Sequence, residues 1–377
     1  MRHHTFAHSP ARFAQMIAVL CLLVSWLCAT TLSAQAHSAS LNLSPSIGGC
    51  SIFPANNIWN YDISKLPLYS NSANFVASIG TTAQLHAYFG ATVPSYAPQG
   101  IPYTTVPGSQ PKVPVHFTYA SESDPGPYPI PSNAPIEGGP NGTFDRHVIV
   151  LNKGTCQLYE MWRGFPQKDG SWQAGSGAVW NLNSNTLRPA YWTSTDAAGL
   201  PILPGLVRYD EVAVGAINHA LRFVVNRTQD TFLWPARHSA SSSSNPNLPP
   251  MGLRFRLKAN FNTSSFSPQN RVILEALKHY GMFVSDNGGN SWVLSGSPDS
   301  RWNNADIAKL GSIHGSDFEA VDESSLQVAP DSGQVKGFRI PLKPAITSKS
   351  KIVGMNIIEW LLSCLEPSSV PSRRYVQ

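Results

Sequence analysis

The sequence predicts a mainly β protein: a single large sandwich or distorted barrel with long Pro-rich loops and one principal helix over residues 268–280. Three observations predict it. Short β-branched and aromatic runs recur between clusters of Gly, Pro, Asn and Asp, as strands recur between turns. The 377 residues include 31 prolines and 28 glycines, and proline removes the backbone donor that long helices and central strands need. One stretch carries a full set of helix signals. Ser267 stands as cap, Pro268 at the first position and Gly281 as stop, around a stripe of Val272, Ile273, Ala276, Leu277 and Tyr280.

At the N-terminus, Arg2 and Arg12 precede the apolar run MIAVLCLLVSWL at 16–27, and Ala34-Gln35-Ala36 fits a small-x-small cleavage rule. Residues 1–36 therefore read as a secretory signal peptide and the product as secreted. No later run has the roughly 20 apolar residues that cross a bilayer, so no stable membrane insertion is expected after cleavage. Removing two arginines and no acids lowers the formal charge from +5 to +3, with 25 basic against 22 acidic residues. With no Lys/Arg run, nucleic acid is not an expected partner. Charged residues make up 13% of the chain, against about 25% in ordinary domains. Ser, Asn, Thr, Gly, Pro and Trp replace them, a composition common in exported β-rich proteins and in proteins that handle sugars. Of the cysteines beyond the signal, Cys50, Cys156 and Cys364, export allows one intramolecular bridge, and Cys50–Cys156 is the preferred pair.

Residues 37–52 are Ser-rich and read as a loose segment. Residues 53–321 read as one β-rich domain, and 322–377 as an appended tail with an amphipathic stretch at 352–365. Within the domain, residues 74–79 read as a short helix ending at Gly80. The Pro-rich stretch 90–140 reads as long ordered loops with isolated strands, such as 113–119. RHVIVL (146–151) and CQLYEMW (156–162) flank Asn152-Lys153-Gly154-Thr155 and read as a hairpin. Its expected register sets His147 opposite Glu160, Ile149 opposite Leu158 and Asp145 opposite Trp162. Residues 178–182 form the next strand, and 183–199 a polar loop carrying Arg188, Tyr191 and Trp192. In GLPILPGLVRYDEVAVGAINHALRFVV (199–225), Asp210 reads as a helix cap and Gly215 as its stop. The strand at 216–225 places His219 in an apolar row with Ile217, Leu221, Phe223 and Val225. Residues 253–257 alternate as a strand. Residues 282–285 and 291–294 read as a hairpin about the DNGG turn, and 304–310 as a short helix.

Several of these runs together resemble a group of exported bacterial proteins to which no activity is assigned: DRHVIVLNKGTCQLYE (145–160), SGAVWNLNSNTLRP (176–189), TSTDAAGLPILPGLVRYDEV (193–212), INHALRF (217–223), PARHSASSS (235–243), LPPMGLRFRLK (248–258) and LEALKHYGMFVSDNGG (274–289). The resemblance covers residues 53–321 and implies that they form one unit. It implies no reaction and no catalytic residue.

Among the motifs that name a reaction, G-x-S-x-G, H-E-x-x-H, a phosphate loop and a dinucleotide fingerprint are all missing. No cofactor and no metal are expected. The remaining reading is an extracellular carbohydrate-active enzyme, a hydrolase or lyase of a polysaccharide. Glu160 and His147 are the expected acid/base pair, with His219 and Arg208 positioning charge. Trp192, Tyr191, Arg237 and His238 are the expected substrate-binding residues. The alternative is a non-catalytic secreted protein that binds a polysaccharide or cell-surface glycan through its tryptophans and polar loops.

Overall fold

The computed structural model describes residues 45–92 and 99–337. The expected signal peptide, the stretch 352–365 and Cys364 lie outside them. The fold is mainly β with short helices, and among the described residues no sheet closes into a barrel.

Residues 45–52 are not loose. Strands β1 (Ser46–Ile47) and β2 (Cys50–Ser51) form a small hairpin, fixed by the Cys50–Cys156 disulfide. Helix α1 (Ser72–Ile79) buries Phe75, Val76 and Ile79. Next come β3 (His86–Tyr88), β4 (Thr104–Val106) and β5 (Val115–Phe117). The expected hairpin is β6 (Val148–Asn152) with β7 (Gln157–Trp162). Its register differs from the expected one by two residues: Ile149 faces Glu160 and Leu151 faces Leu158. Asn152 and Gln157 close the ladder, leaving a four-residue loop in which Cys156 takes a φ of 52°. Strands β8 (Phe165–Pro166), β9 (Trp172–Ala174) and β10 (Ser176–Asn181) follow.

Helix α2 (Tyr209–Val214) ends at Gly215 in the left-handed conformation, as expected. Its cap is Arg208 without a side-chain bond. Asp210 instead lies in the first turn, where it pairs with Arg301 at 2.6 Å. Strand β11 is only Leu221–Val225. Residues 216–220 stay irregular because Ala220 N–H donates to the Trp59 carbonyl rather than to a strand. Strand β12 (Arg254–Leu257) precedes the principal helix α3 (Pro268–His279), where the Ser267 hydroxyl accepts from Asn270 N–H. Strands β13 (Met282–Asn287) and β14 (Val293–Ser295), helix α4 (Asn304–Ile307) and β15 (Phe318–Val321) complete the chain.

The six-stranded sheet runs β15-β12-β13-β11-β14-β3, and the four-stranded sheet β10-β7-β6-β4. The expected hairpin of residues 282–294 does not form, because β11 lies between β13 and β14 and pairs with both. A local pattern cannot reveal a strand inserted from about 60 residues upstream. One apolar cluster joins the two sheets. Ile149, Leu151, Leu158, Ala178 and Trp180 come from the smaller sheet, and Leu221, Phe223, Phe255 and Phe283 from the larger. Val148, Val150, Tyr159 and Met161 point the other way, into a second cluster with Val115, Tyr128 and Trp172. The three-stranded sheet β5-β9-β8 contributes Val115 and Trp172 to that cluster. Strand β6 is thus buried on both faces and reads as continuous apolar sequence rather than as alternation.

β13 carries one extra residue against β11: Phe223 pairs with Val284, and Val224 with Asp286. This bulge at Ser285 reverses the facing of the residues after it. Asp286 therefore shares its sheet face with Val224 and Arg222, not with Phe223.

Residues 322–337, read from sequence as the start of a loose tail, pack onto this body. Leu326 and Val335 are buried, and Glu323 meets the buried Arg254 guanidinium at 2.6 Å.

Candidate functional site

The sequence-predicted residues do not converge. Glu160 sits on the inner face of β7, fully buried. Its carboxylate accepts four donors: Ile202 N–H, Leu203 N–H at 2.9 Å, the Trp180 indole and the Thr195 hydroxyl. Burial pushes its pKa up, and the backbone donors oppose that. By accepting the Ile202 and Leu203 N–H groups it holds the start of the turn at Leu203–Gly205, buried away from solvent.

His147 lies one residue before β6, and its partner is Glu137, at 2.5 Å from Nδ1. Nε2 faces the Thr195 carbonyl at 2.9 Å. A carboxylate and a carbonyl both accept, so both ring nitrogens carry protons and the ring is an imidazolium. Burial favours the neutral ring, but the Glu137 charge outweighs it and holds the pKa at about 9. Glu137 is pushed up by burial and down, to a larger net effect, by His147.

Arg208 and His219 form a separate buried brace. Glu211 accepts from Arg208 at 2.6 Å and from His219 Nε2 at 3.1 Å, while His219 Nδ1 donates to the Ala220 carbonyl. The brace ties α2 to the chain entering β11. Arg237 is buried and pairs with Asp331 at 2.5 Å. Tyr191, 75% exposed, meets Phe232 edge-on. Trp192 lies beneath the Arg188 guanidinium.

The ionisable groups that do converge are ones the sequence reading left as turn and loop residues. A cleft of about 500 Å3 is lined by Tyr119, Glu122, Asp145, Trp162, residues 193–197, His238 and Asp286, among others. Of the expected site residues only His238 lines it. Its Nδ1 donates to the Ala197 carbonyl at 2.8 Å. A larger cavity of about 700 Å3 runs along β3, but His86 is the sole ionisable residue among those lining it. Chemistry therefore selects the smaller one.

Each cleft residue is placed by local physics. Arg146 takes a φ of 49°, rare for a residue with a β-carbon. Its guanidinium secures that turn by donating to the carbonyls of Gly164, Pro140 and Gly142 at 3.1, 2.9 and 2.7 Å. The turn leaves Asp145 exposed at the surface and His147 buried below it. The Trp162 indole donates to Asp145 at 3.0 Å, and the Trp162 and Tyr119 rings lie 6.3 Å apart at the rim. Asp196 is held by Ala198 N–H and Leu200 N–H, both at 3.0 Å to Oδ1. Its Oδ2 is buried without a hydrogen bond, and the nearest cation is Arg222 at 3.5 Å. Asp286, aimed by the bulge, is within electrostatic reach of the same guanidinium.

Burial pushes Asp196 up, Arg222 pulls it down and Asp286 pushes it up again, to about 7. Asp286 is also raised, by burial first. Two carboxyls around one cation divide the ionised and protonated roles between them.

No family model matches this chain, and neither a curated protein nor a solved structure does. The functional reading therefore rests on geometry. For a metal, Glu137, Asp145 and His147 offer ligand atoms within 4.8 Å of one another. A cation there would have to displace the proton that His147 shares with Glu137.

Proposed function

We propose that this chain is an exported enzyme that hydrolyses a polysaccharide in the cleft of Asp196 and Asp286. The observation that carries the reading is this pair about the single guanidinium of Arg222. Glycoside hydrolysis uses one protonated carboxyl to protonate the leaving oxygen and one ionised carboxylate to act as base or nucleophile. Asp196, pushed up to about 7, suits the acid. Asp286, partly open to the cleft, suits the carboxylate. Tyr119 and Trp162 offer flat apolar faces to sugar rings. Elimination from a uronate asks for a cation against its carboxylate, whereas acids dominate the ionisable residues of this cleft. That favours a hydrolase over a lyase. The disulfide fits an oxidising compartment.

The test is a polysaccharide panel that follows reducing ends and unsaturated-uronate absorbance together. Reducing ends without absorbance are expected. Asp196→Asn and Asp286→Asn should each lower kcat by about 100-fold or more, the usual contribution of a positioned acid or base. Full activity in both variants would sink the assignment.

One observation favours a second reading, a non-catalytic glycan-binding protein. Tyr119 is 55% exposed and Phe144, beside Asp145, is 84% exposed. Glycan binding without cleavage, unchanged in both aspartate variants, would support that reading.

A further inference from the structure

We infer that the cleft takes a glycan built of amino sugars with free ammonium groups, which Asp145 and Glu122 bind while the rings lie on Tyr119 and Trp162. The inference names the substrate class of the hydrolytic site proposed above and rests on that reading.

Charge pairing beneath the cleft supports it. Each buried cation there already has its anion. His147 is matched by Glu137 at 2.5 Å, Arg188 by Asp124 at 2.5 Å, and Arg222 by Asp196 with Asp286 nearby. Two carboxylates among the lining residues, Asp145 and Glu122, form no ion pair with any described residue. Asp145 lies within 4.8 Å of His147, whose charge Glu137 already balances. Arg188, which donates to the Glu122 carbonyl, is balanced by Asp124. Asp145 accepts only a neutral indole N–H, and Glu122 only the Thr193 amide N–H. Arg163 lies against the Trp162 ring, 5.6 Å from its centre, and is not among the lining residues.

A second observation points into the same space. Asp196 is 3% exposed and lines the cleft, yet its Oδ2 has no hydrogen-bond partner. A buried carboxyl oxygen without a partner marks a place where a ligand's polar group is missing. An amino sugar supplies an oxygen to take the proton of that carboxyl and an ammonium for the unpaired carboxylates. That ammonium also suits an aromatic rim, because ring faces attract cations. A uronate would bring like charge against Asp145 and Glu122. An N-acetylated sugar would leave both carboxylates without a counter-charge.

The experiment is calorimetric titration of the protein with four probes of equal length: an oligomer of glucosamine, its fully N-acetylated form, an oligogalacturonate and oligolysine. The glucosamine oligomer should bind at least about tenfold more tightly than each of the others. Asp145→Asn should weaken it by about tenfold, the scale of one charge-assisted contact. The N-acetylated form should be unaffected. Glu122→Gln should act in the same direction while keeping the acceptor for Thr193. Both residues lie at or near the surface, and unchanged melting midpoints would exclude misfolding. Equal or tighter binding of the N-acetylated oligomer, the uronate or oligolysine would overturn the inference, as would binding of no probe. Reducing ends followed in the same mixtures separate the two proposals. Glucosamine oligomers bound but uncut would refute hydrolysis alone, and cleavage confined to neutral glycans would refute the substrate class alone.

Discussion

Replacing Asp196 with Asn should stabilise this protein at alkaline pH, although it removes a proposed catalytic group. In the folded chain the Asp196 pKa is raised from 3.8 to about 7. The folded state then holds the proton more tightly than the unfolded chain does. The stability this gives is complete below the unfolded value and is lost as pH rises through about 7. At 1.36 kcal/mol per decade of proton concentration, the interval corresponds to about 4 kcal/mol. Asp286 shares Arg222 and so shares the proton, which halves the effect of a single substitution to about 2 kcal/mol. The Asn side-chain oxygen can still accept from Ala198 and Leu200 N–H, so the loop keeps its shape. The assay is urea unfolding of both proteins between pH 4 and 8.5. The two should be about equal at pH 4. As pH rises the native protein should fall below the variant, reaching a gap of about 2 kcal/mol at pH 8. A variant that is less stable at pH 8, or one that loses stability with pH as steeply as the native protein, would refute the account of a proton held in a buried pair.

Three more expectations rest on the same chemistry. His147→Gln should abolish a second loss of stability at higher pH, because a pKa of about 9 against 6.5 makes the stabilisation complete below 6.5 and lost through about 9. At pH 6 that variant should be less stable by about 3 kcal/mol, since Glu137 is left buried without its cation, as unfolding curves at the two pH values will measure. Glu160→Gln should cost about 3 kcal/mol by turning an amide N–H₂ toward backbone donors. The kcat of its folded fraction should stay within tenfold of native, an outcome that separates a structural from a catalytic carboxylate. Cys50→Ser opens a crosslink between residues 106 apart and should lower stability by about 4 kcal/mol, read from the urea midpoint under non-reducing conditions.

Local chemistry made much of the fold legible. Ser267 and Pro268 announced α3, the turn at 152–155 announced β6 and β7, and Cys50 found Cys156. Long-range pairing escaped. Nothing in residues 282–295 says that β11 will enter between its two strands, because that is decided by which apolar faces meet in the core. The register of β6 and β7 moved by two residues because the loop takes Cys156 with positive φ, which a β-branched or proline-based reading does not reveal. The site was less legible for a related reason. His147 and Glu160 stood out as polar residues among apolar ones, and that pattern marks burial as readily as chemistry. Both are buried and satisfied by Glu137, by Thr195 and by backbone N–H groups. Asp196 and Asp286 lie in DAAG and DNGG, where an aspartate reads as an ordinary turn residue. Their interest comes from low solvent exposure and a shared Arg222, properties of three segments brought together. The one available signal was Arg222, a full charge in the middle of the apolar run LRFVV.

The bulge at Ser285 has a further meaning for how this chain can change. It divides β13 into two reading frames. Residues 282–284 keep time with the core, and Asp286 keeps time with Arg222 and the cleft. Substitutions on one side need not disturb the other, so the apolar layer and the acidic site are free to drift independently. A change in length is another matter. Inserting one residue between Ser285 and Asp286, with the bulge kept, would put the newcomer opposite Val224, leave residues 282–284 in place and turn Asp286 toward the Phe223 side. The cleft would then lose its second carboxyl without a single residue of the site having been replaced.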